Sequence, residues 1–439
     1  MSTLDTLNSA LEQIDQRRAT LDPYLKAWHG ESPAAYLSRA SAEALDKRVR
    51  RLAVNFPRLV VSSLVDRMRV TGFRRQGQTD TEAEAWRRWR QAGLVAGSEL
   101  IHTDRLLYGS AYVTIWGHRT RPRQPVAMLD SPLTSWADID PGTGEVIRAV
   151  RRWASGGRSR AVLLEQDRIT RWESASADPM AGAGWQQDGP TVSNPWGQVP
   201  TVAFTRRSST TDHYGTSAVA DILDLTDALS KVFQDAMVTS EYFARPRRWA
   251  TGLEIREDED GNPIDPFGQQ RLMQSEDPDT RFGQLDPARL DGYADLSATI
   301  TQQIGALTGL PAHYLGLHGD QPANADSVRA AETQLVSRAY SEQRQAEQPW
   351  GQVAAWLDAI ATGAPEVPDD YVPVWADPET RTPAQAADAA VKLRQIGIPL
   401  GTLLRAPLRY EEHEIATITA EAERQQMTAA AASLGGLLP

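Results

Sequence analysis

Three stretches of the chain carry residue types that could do chemistry. His413-Glu414-Ile415-Ala416-Thr417 begins like a helical zinc site, in which histidines at i and i+4 hold the metal and a glutamate serves as base. Thr417 stands where the second histidine would be, so the set lacks a ligand and an ordinary helix is expected. Asp258-Glu259-Asp260-Gly261-Asn262-Pro263 has the carboxylate spacing of a calcium loop, but Pro263 occupies the place where the turn needs glycine, and a solvated acidic turn is expected. Tyr214-Gly215-Thr216-Ser217-Ala218 lacks the second glycine of a nucleophile elbow, and Ser217 more simply begins a helix. No G-x-x-x-x-G-K-[ST] phosphate loop occurs, and the seven histidines show no metal-like pairing. These residues predict no enzyme, no cofactor and no stoichiometric metal.

Polar segments without catalytic spacing remain. Residues 313–324 hold His313, Tyr314, His318, Asp320, Gln321 and Asn324, with Gly316 and Gly319 among them. This is long for a plain helix–helix connection, and long irregular loops often carry function. Arg245, Arg247 and Arg248 follow a predicted helix, where cations either meet its negative end or contact a ligand; both readings stay open. Lys47-Arg48-Arg50-Arg51 reads as a solvated helix face. The thirteen tryptophans read as core or subunit-interface anchors.

Composition limits the class. A chain of 439 residues is expected to form two to four domains. Cysteine is absent, which removes disulfides and thiolate metal sites and fits a reducing compartment. No apolar run approaches the ~20 residues of a membrane span, and Met1-Ser2-Thr3-Leu4-Asp5 is unlike a signal peptide. The net charge of -11 reads first as ordinary solubility charge; it argues against a protein that grips nucleic-acid phosphates, and leaves open one that binds no nucleic acid and one that lets it pass without holding it.

The elements that must position these segments centre on residues 216–361. Ile222, Leu225, Leu229, Val232 and Ala236 form a helical stripe over Ser217–Phe243, stopped by Ala244-Arg245-Pro246. A second helix is expected from Asp286-Pro287, with the stripe Tyr293, Leu296, Ile300, Ile304 and Leu307, ending at Gly309-Leu310-Pro311. A third runs from about Asn324 to Ala361, with Pro349 predicted to kink or break it. The excursion 245–285 is strand-like at its ends and too small to bury much alone. Before these come an amphipathic helix over 1–28 through Leu4, Leu7, Leu11 and Ile14, a helix over 42–66, and a mixed α+β region in which a Gly/Ser/Pro/Asp-rich segment, Ser174–Gln198, expected to be a mobile loop, precedes a last strand at Val199–Phe204. Tyr371–Trp375 reads as a late strand returning to that region, followed by alanine-rich helices over 382–396 and 410–427.

Leu307-Thr308-Gly309-Leu310-Pro311-Ala312-His313-Tyr314-Leu315-Gly316, followed by Ala325-Asp326-Ser327-Val328-Arg329-Ala330-Ala331-Glu332, resembles the portal proteins of tailed bacteriophages, of the Gp6-like type found in phages of actinobacteria. The helix–excursion–helix order is similar too, over most of the chain. The resemblance implies a multidomain α+β subunit of a ring: a mixed α/β wing (1–215), stem helices (216–244 and 286–310), a small α/β clip (245–285), a tunnel loop (311–324), a long kinked helix returning to the wing (325–377), and a helical crown with tail (378–439). It implies a ring of normally about twelve copies at one capsid vertex of the virion, assembled in the bacterial cytoplasm. Double-stranded DNA would pass through without sequence specificity during packaging and ejection. The partners implied are the large terminase, a head–tail adaptor, the major capsid protein and scaffolding protein, with no membrane. The implied roles are a channel-facing tunnel loop (His313, Tyr314, His318, Asp320, Gln321, Asn324), a basic clip mouth (Arg245, Arg247, Arg248) and a stem interface at Leu229, Val232, Ile300 and Ile304. The rival readings are a soluble α+β enzyme, which would need a convergent acid–base or metal constellation, and a monomeric interaction scaffold, which a mass measurement would separate from a ring.

Overall fold

The computed structural model describes residues 2–31, 53–78, 81–243, 248–252, 278–284, 290–317, 325–379, 383–405, 407–408, 410 and 412–435. The fold is α+β, with ten α-helices among the described residues. It divides into two units: Met1–Glu31, Asn55–Leu223 and Gly305–Pro439 in the first, Ser32–Val54 and Asp224–Ile304 in the second.

In the first unit, helix α1 (Thr3–His29) opens with a capping box. Ser2 Oγ accepts from the Asp5 amide at 3.1 Å, and Asp5 Oδ2 accepts from the Ser2 amide at 2.9 Å. Its buried stripe, Leu7, Leu11 and Ile14, packs on a six-stranded antiparallel sheet of β4 (Ser135–Ile139), β5 (Val146–Ser155), β6 (Arg158–Glu165), β7 (Arg168–Ser174), β8 (Gln186–Gln187) and β9 (Val192–Ser193). The strands alternate as a two-sided sheet must. Trp136, Val150, Leu163 and Trp172 face α1, while Ala137, Ala149 and Leu164 join Tyr112 and Val199 in a second core. Residues 174–198 are therefore not the loose loop their composition suggested. Trp185 is buried in the α1 core, Ala181 and Ala183 pack beside it, and Asp15 Oδ2 accepts from the Ala181 amide at 2.9 Å. One large apolar side chain outweighs the turn-forming residues around it.

Two smaller sheets complete this unit. Strands β10 (Thr201–Thr205), β2 (Ser110–His118) and β3 (Arg121–Asp130) lie in that order. Strand β1 (Val70–Arg75) pairs antiparallel with β13 (Tyr371–Trp375), so the late strand does return to the N-terminal region, onto its first strand. Helices α2 (Phe56–Val65), α3 (Ala83–Gln91) and α4 (Leu94–Tyr108) surround them. Of the helix expected over 42–66, the part before residue 53 lies outside the described residues, with the basic patch 47–51.

After α5 (Leu223–Phe243) and α6 (Asp291–Thr308), which belong largely to the second unit, comes the long helix α7 (Ala325–Thr362). It runs unbroken through Pro349, so of the two outcomes expected there, a kink or a break, the break does not occur. Packing around the proline explains why. Trp350 is fully buried against Trp89 (4.8 Å between rings) and Phe204 (4.3 Å), and its Nε1 donates to His102 Nε2 at 3.1 Å. At Gly351 the helix touches β13: a Cβ there would sit 2.2 Å from the Tyr371 carbonyl oxygen. Helices α8 (Pro383–Gln395), α9 (Leu400–Arg405) and α10 (Glu412–Gly435) follow.

The second unit holds α5 (Leu223–Phe243) from Asp224, the hairpin β11 (Arg248–Thr251) with β12 (Arg281–Gln284), and α6 (Asp291–Thr308) as far as Ile304. Before α5 the chain makes a short 3-10 turn, Ala220–Ile222, so the helix starts later than Ser217. Thr239 and Tyr293 share a hydroxyl bond of 3.2 Å between the two helices. The acidic turn 258–263 and the Asp286-Pro287 start lie outside the described residues.

Candidate functional site

The segment after α6 is fixed at its root by sequence-local chemistry. Gly309 takes a left-handed φ of 70°, its amide donates to the Gly305 carbonyl at 2.8 Å, and the helix stops. Arg338 on α7 donates from Nη2 to the Leu307 carbonyl at 2.7 Å, capping the same end. Pro311 then leads into a 3-10 turn over Ala312–Leu315. Leu315 is buried against Gly305, where an added Cβ would approach Leu315 Cδ1 to 2.7 Å.

Polar contacts hold the same turn from two other elements. Tyr314 Oη donates to Glu332 Oε1 on α7 at 3.1 Å. It accepts from Arg67 Nη2, just beyond α2, at 3.1 Å. Arg67 also reaches Glu332 Oε2 at 3.3 Å, and both side chains are nearly covered, 11% and 12% exposed. The His313 ring stacks edge-on against Tyr314 at 4.8 Å, and its Nε2 lies 3.8 Å from Glu332 Oε1. Gln343, three turns along α7, donates to the carbonyls of Arg67 (2.8 Å) and Ala376 (3.1 Å). The arrangement can hold a loop root rigidly; it offers no nucleophile beside a base.

Deeper along α7 is a buried charge cluster. Arg105 Nη1 donates to Glu342 Oε2 at 2.8 Å, and Arg206 Nε donates to Oε1 of the same carboxylate at 2.8 Å. Complete burial draws the Arg105 pKa down, while Glu342 opposes that. Burial, reinforced by Arg105, pushes His102 down to about 3, so its ring stays neutral.

The predicted site residues are thus partly placed. His313 and Tyr314 sit together at the loop root, while His318, Asp320, Gln321 and Asn324 lie outside the described residues. Arg245 and Arg247 also lie outside them, and Arg248 opens β11, paired with Gln284. Leu229 and Ile304 are completely covered within one chain and Val232 is 9% exposed, so these three need no second copy for their burial; Ile300 is half-buried. Ser217 is buried; its Oγ accepts from the Val219 amide at 3.2 Å, a turn role rather than a catalytic one. Sequence reasoning missed Arg67 and the role of Glu332. Glu332 stood in the quoted motif, but Arg67 is 247 residues from Tyr314 and nothing local marks it.

The family model described as phage portal protein, SPP1 Gp6-like, matches residues 11–428. The portal protein of Mycobacterium phage D29 is 29% identical over 361 residues, covering 77% of this chain and 72% of that one. The portal protein of Mycobacterium phage L5 is 28% identical over 364 residues, with the same coverage. Among solved structures, a chain of the virion of a native gene transfer agent particle aligns with a TM-score of 0.48 at 14% identity, covering 83% of this chain and 90% of that one. A chain from the neck of the native gene transfer agent particle, computed with C12 symmetry, aligns with a TM-score of 0.43 at 13% identity, covering 84% and 93%.

Proposed function

The chain belongs to the SPP1 Gp6-like family of phage portal proteins, and on that premise we propose that it forms a ring of about twelve copies at one capsid vertex, closed by head-to-tail contacts. The ring is the channel through which double-stranded DNA is packaged and ejected. It docks the large terminase during packaging and a head–tail adaptor afterwards, and meets the major capsid and scaffolding proteins at its rim. Assembly takes place in the bacterial cytoplasm and the ring remains in the virion.

The family match over residues 11–428 carries this reading. Composition supports it: at -11 per chain, about twelve copies carry roughly -130 before counterions screen them, which suits a lining that repels phosphate. The rooted segment at His313–Leu315 supports a second part of the reading. Residues 316–324 act as a collar that touches the DNA backbone without reading sequence and hinders backward slippage. Subunits meet through the apolar positions left open on the stem helices: Ile300, half-buried, with Met237 (59% exposed) and Leu296 (48%).

Electron microscopy of the purified chain tests the proposal. End-on views should be closed rings, and Ile300→Asp should deplete them by placing a charge in an apolar seam. Monomers at every concentration of the parent would refute it.

A further inference from the structure

Strand β10 is an edge strand: β2 lies on one side and no described strand on the other. The direction of its backbone groups follows from two bonds. The Ile115 amide donates to the Pro200 carbonyl at 2.9 Å, and the Arg206 amide donates to the Gly109 carbonyl at 2.8 Å. In an antiparallel ladder, bonded and non-bonded pairs alternate. Val202 and Phe204 therefore turn their N–H and C=O groups toward β2, and Thr201, Ala203, Thr205 and Arg207 turn theirs away.

The two ends of that outward row are already satisfied. The Thr201 amide donates to the Val199 carbonyl at 2.8 Å. The Arg207 amide donates to Gln345 Oε1 at 3.1 Å, so a side-chain amide from α7 stands where the next strand would be. Between them, the outward N–H and C=O groups of Ala203 and Thr205 have no partner among the described residues. Edge strands are usually blunted by charge or proline, and Thr201-Val202-Ala203-Phe204-Thr205 contains neither.

This open edge lines a cleft with two adjoining lobes, of about 410 and 700 Å³. One wall is α7, which presents Gln348 and Gln352; the other is the β4–β5 turn, Asp140–Glu145. The carboxylates of Glu145 and Asp369 are exposed and have no ion pair among the described residues. The guanidinium of Arg207 is turned to the carbonyls of Thr210 (2.8 Å) and Asp212 (3.0 Å). Asp140, Glu145 and Asp369 outnumber Arg207 along the lining, so the net charge of the cleft is negative.

We infer that this cleft is a docking site in which an extended, cationic segment of a partner protein adds as a strand to β10. Its backbone bonds to Ala203 and Thr205, and its Lys or Arg side chains meet Glu145 and Asp369. Main-chain pairing supplies affinity in this mode, and the flanking charges supply selectivity.

The test uses the full-length protein and a ten-residue probe of alternating Thr and Arg, with a Thr/Glu peptide and a backbone N-methylated Thr/Arg peptide as controls. The Thr/Arg probe should bind and slow amide exchange at Ala203 and Thr205 by about tenfold or more, and neither control should bind. Ala203→Pro, which removes an outward N–H, and Glu145→Lys with Asp369→Lys should each weaken binding by about tenfold or more. The charge pair sits on the exposed surface, so its variant keeps the test valid if the proline variant fails to fold. Binding untouched by the charge reversal, or no slowing at Ala203 and Thr205 at saturating probe, would overturn the inference. Slowed exchange there without probe, growing with protein concentration, would overturn it in favour of a second copy.

Discussion

The phenol of Tyr314 donates to Oε1 of Glu332 across 3.1 Å, and this bond ties the segment leaving α6 to the early turns of α7. Arg67 closes the triangle from beyond α2. Three elements meet at one loop root, one of them 247 residues from Tyr314 in sequence.

Glu332→Ala leaves Arg67 nearly covered without its counter-charge. Such a removal should destabilise the chain by about 3 kcal/mol. Tyr314→Phe deletes only the hydroxyl and should cost about 1 kcal/mol. Urea denaturation of the two variants checks both the values and their order.

His102 gives a pH prediction. Unfolded histidine takes up its proton near pH 6.5, whereas the buried ring stays neutral down to about 3. The unfolded chain therefore binds more protons in that window, and stability falls as pH falls, by up to roughly 1.4 kcal/mol per unit. Asp104 acts in the opposite sense: burial raises its carboxyl to about 6, so its contribution rises as pH falls through that value. His102→Gln keeps an acceptor for Trp350 and leaves Asp104 in place. The stability of the parent relative to this variant should drop by about 2 kcal/mol between pH 7 and pH 5, as read from urea midpoints at each pH.

Gly351→Ala should force β13 away from α7, because the new Cβ meets the Tyr371 carbonyl oxygen at 2.2 Å. Overpacking of this kind costs about 1–3 kcal/mol. A lowered melting temperature with unchanged helix content would match that expectation.

Deleting residues 318–321 should leave assembly intact, since the root contacts of Tyr314 and Leu315 remain. Heads carrying the deletion should retain less DNA than the parent. Full genome-length retention with normal assembly would reduce the segment to a plain connector.

Much of the fold was legible because its signals are local. Gly309-Leu310-Pro311 stops a helix through one positive φ and one fixed φ, and it does so here. The stripe Leu4, Leu7, Leu11, Ile14 named a buried face without naming the sheet it covers, and its first member, Leu4, is exposed at the helix start. Where local rules failed, a distant contact had overridden them. Pro349 allowed either a kink or a break, and the break is avoided because Trp350 and Gly351 are held by α3, β10 and β13. Residues 174–198 look like a linker until Trp185 finds α1. The loop root was half legible for the same reason: Tyr314 and Glu332 lie close in sequence, and Arg67 does not.

Native mass spectrometry of the purified protein tests the central claim most directly. A ring-forming portal subunit predicts one dominant closed species of about twelve times the 48.3 kDa chain mass, reached without any other component. A single species at 48.3 kDa, unchanged as concentration rises, would contradict it.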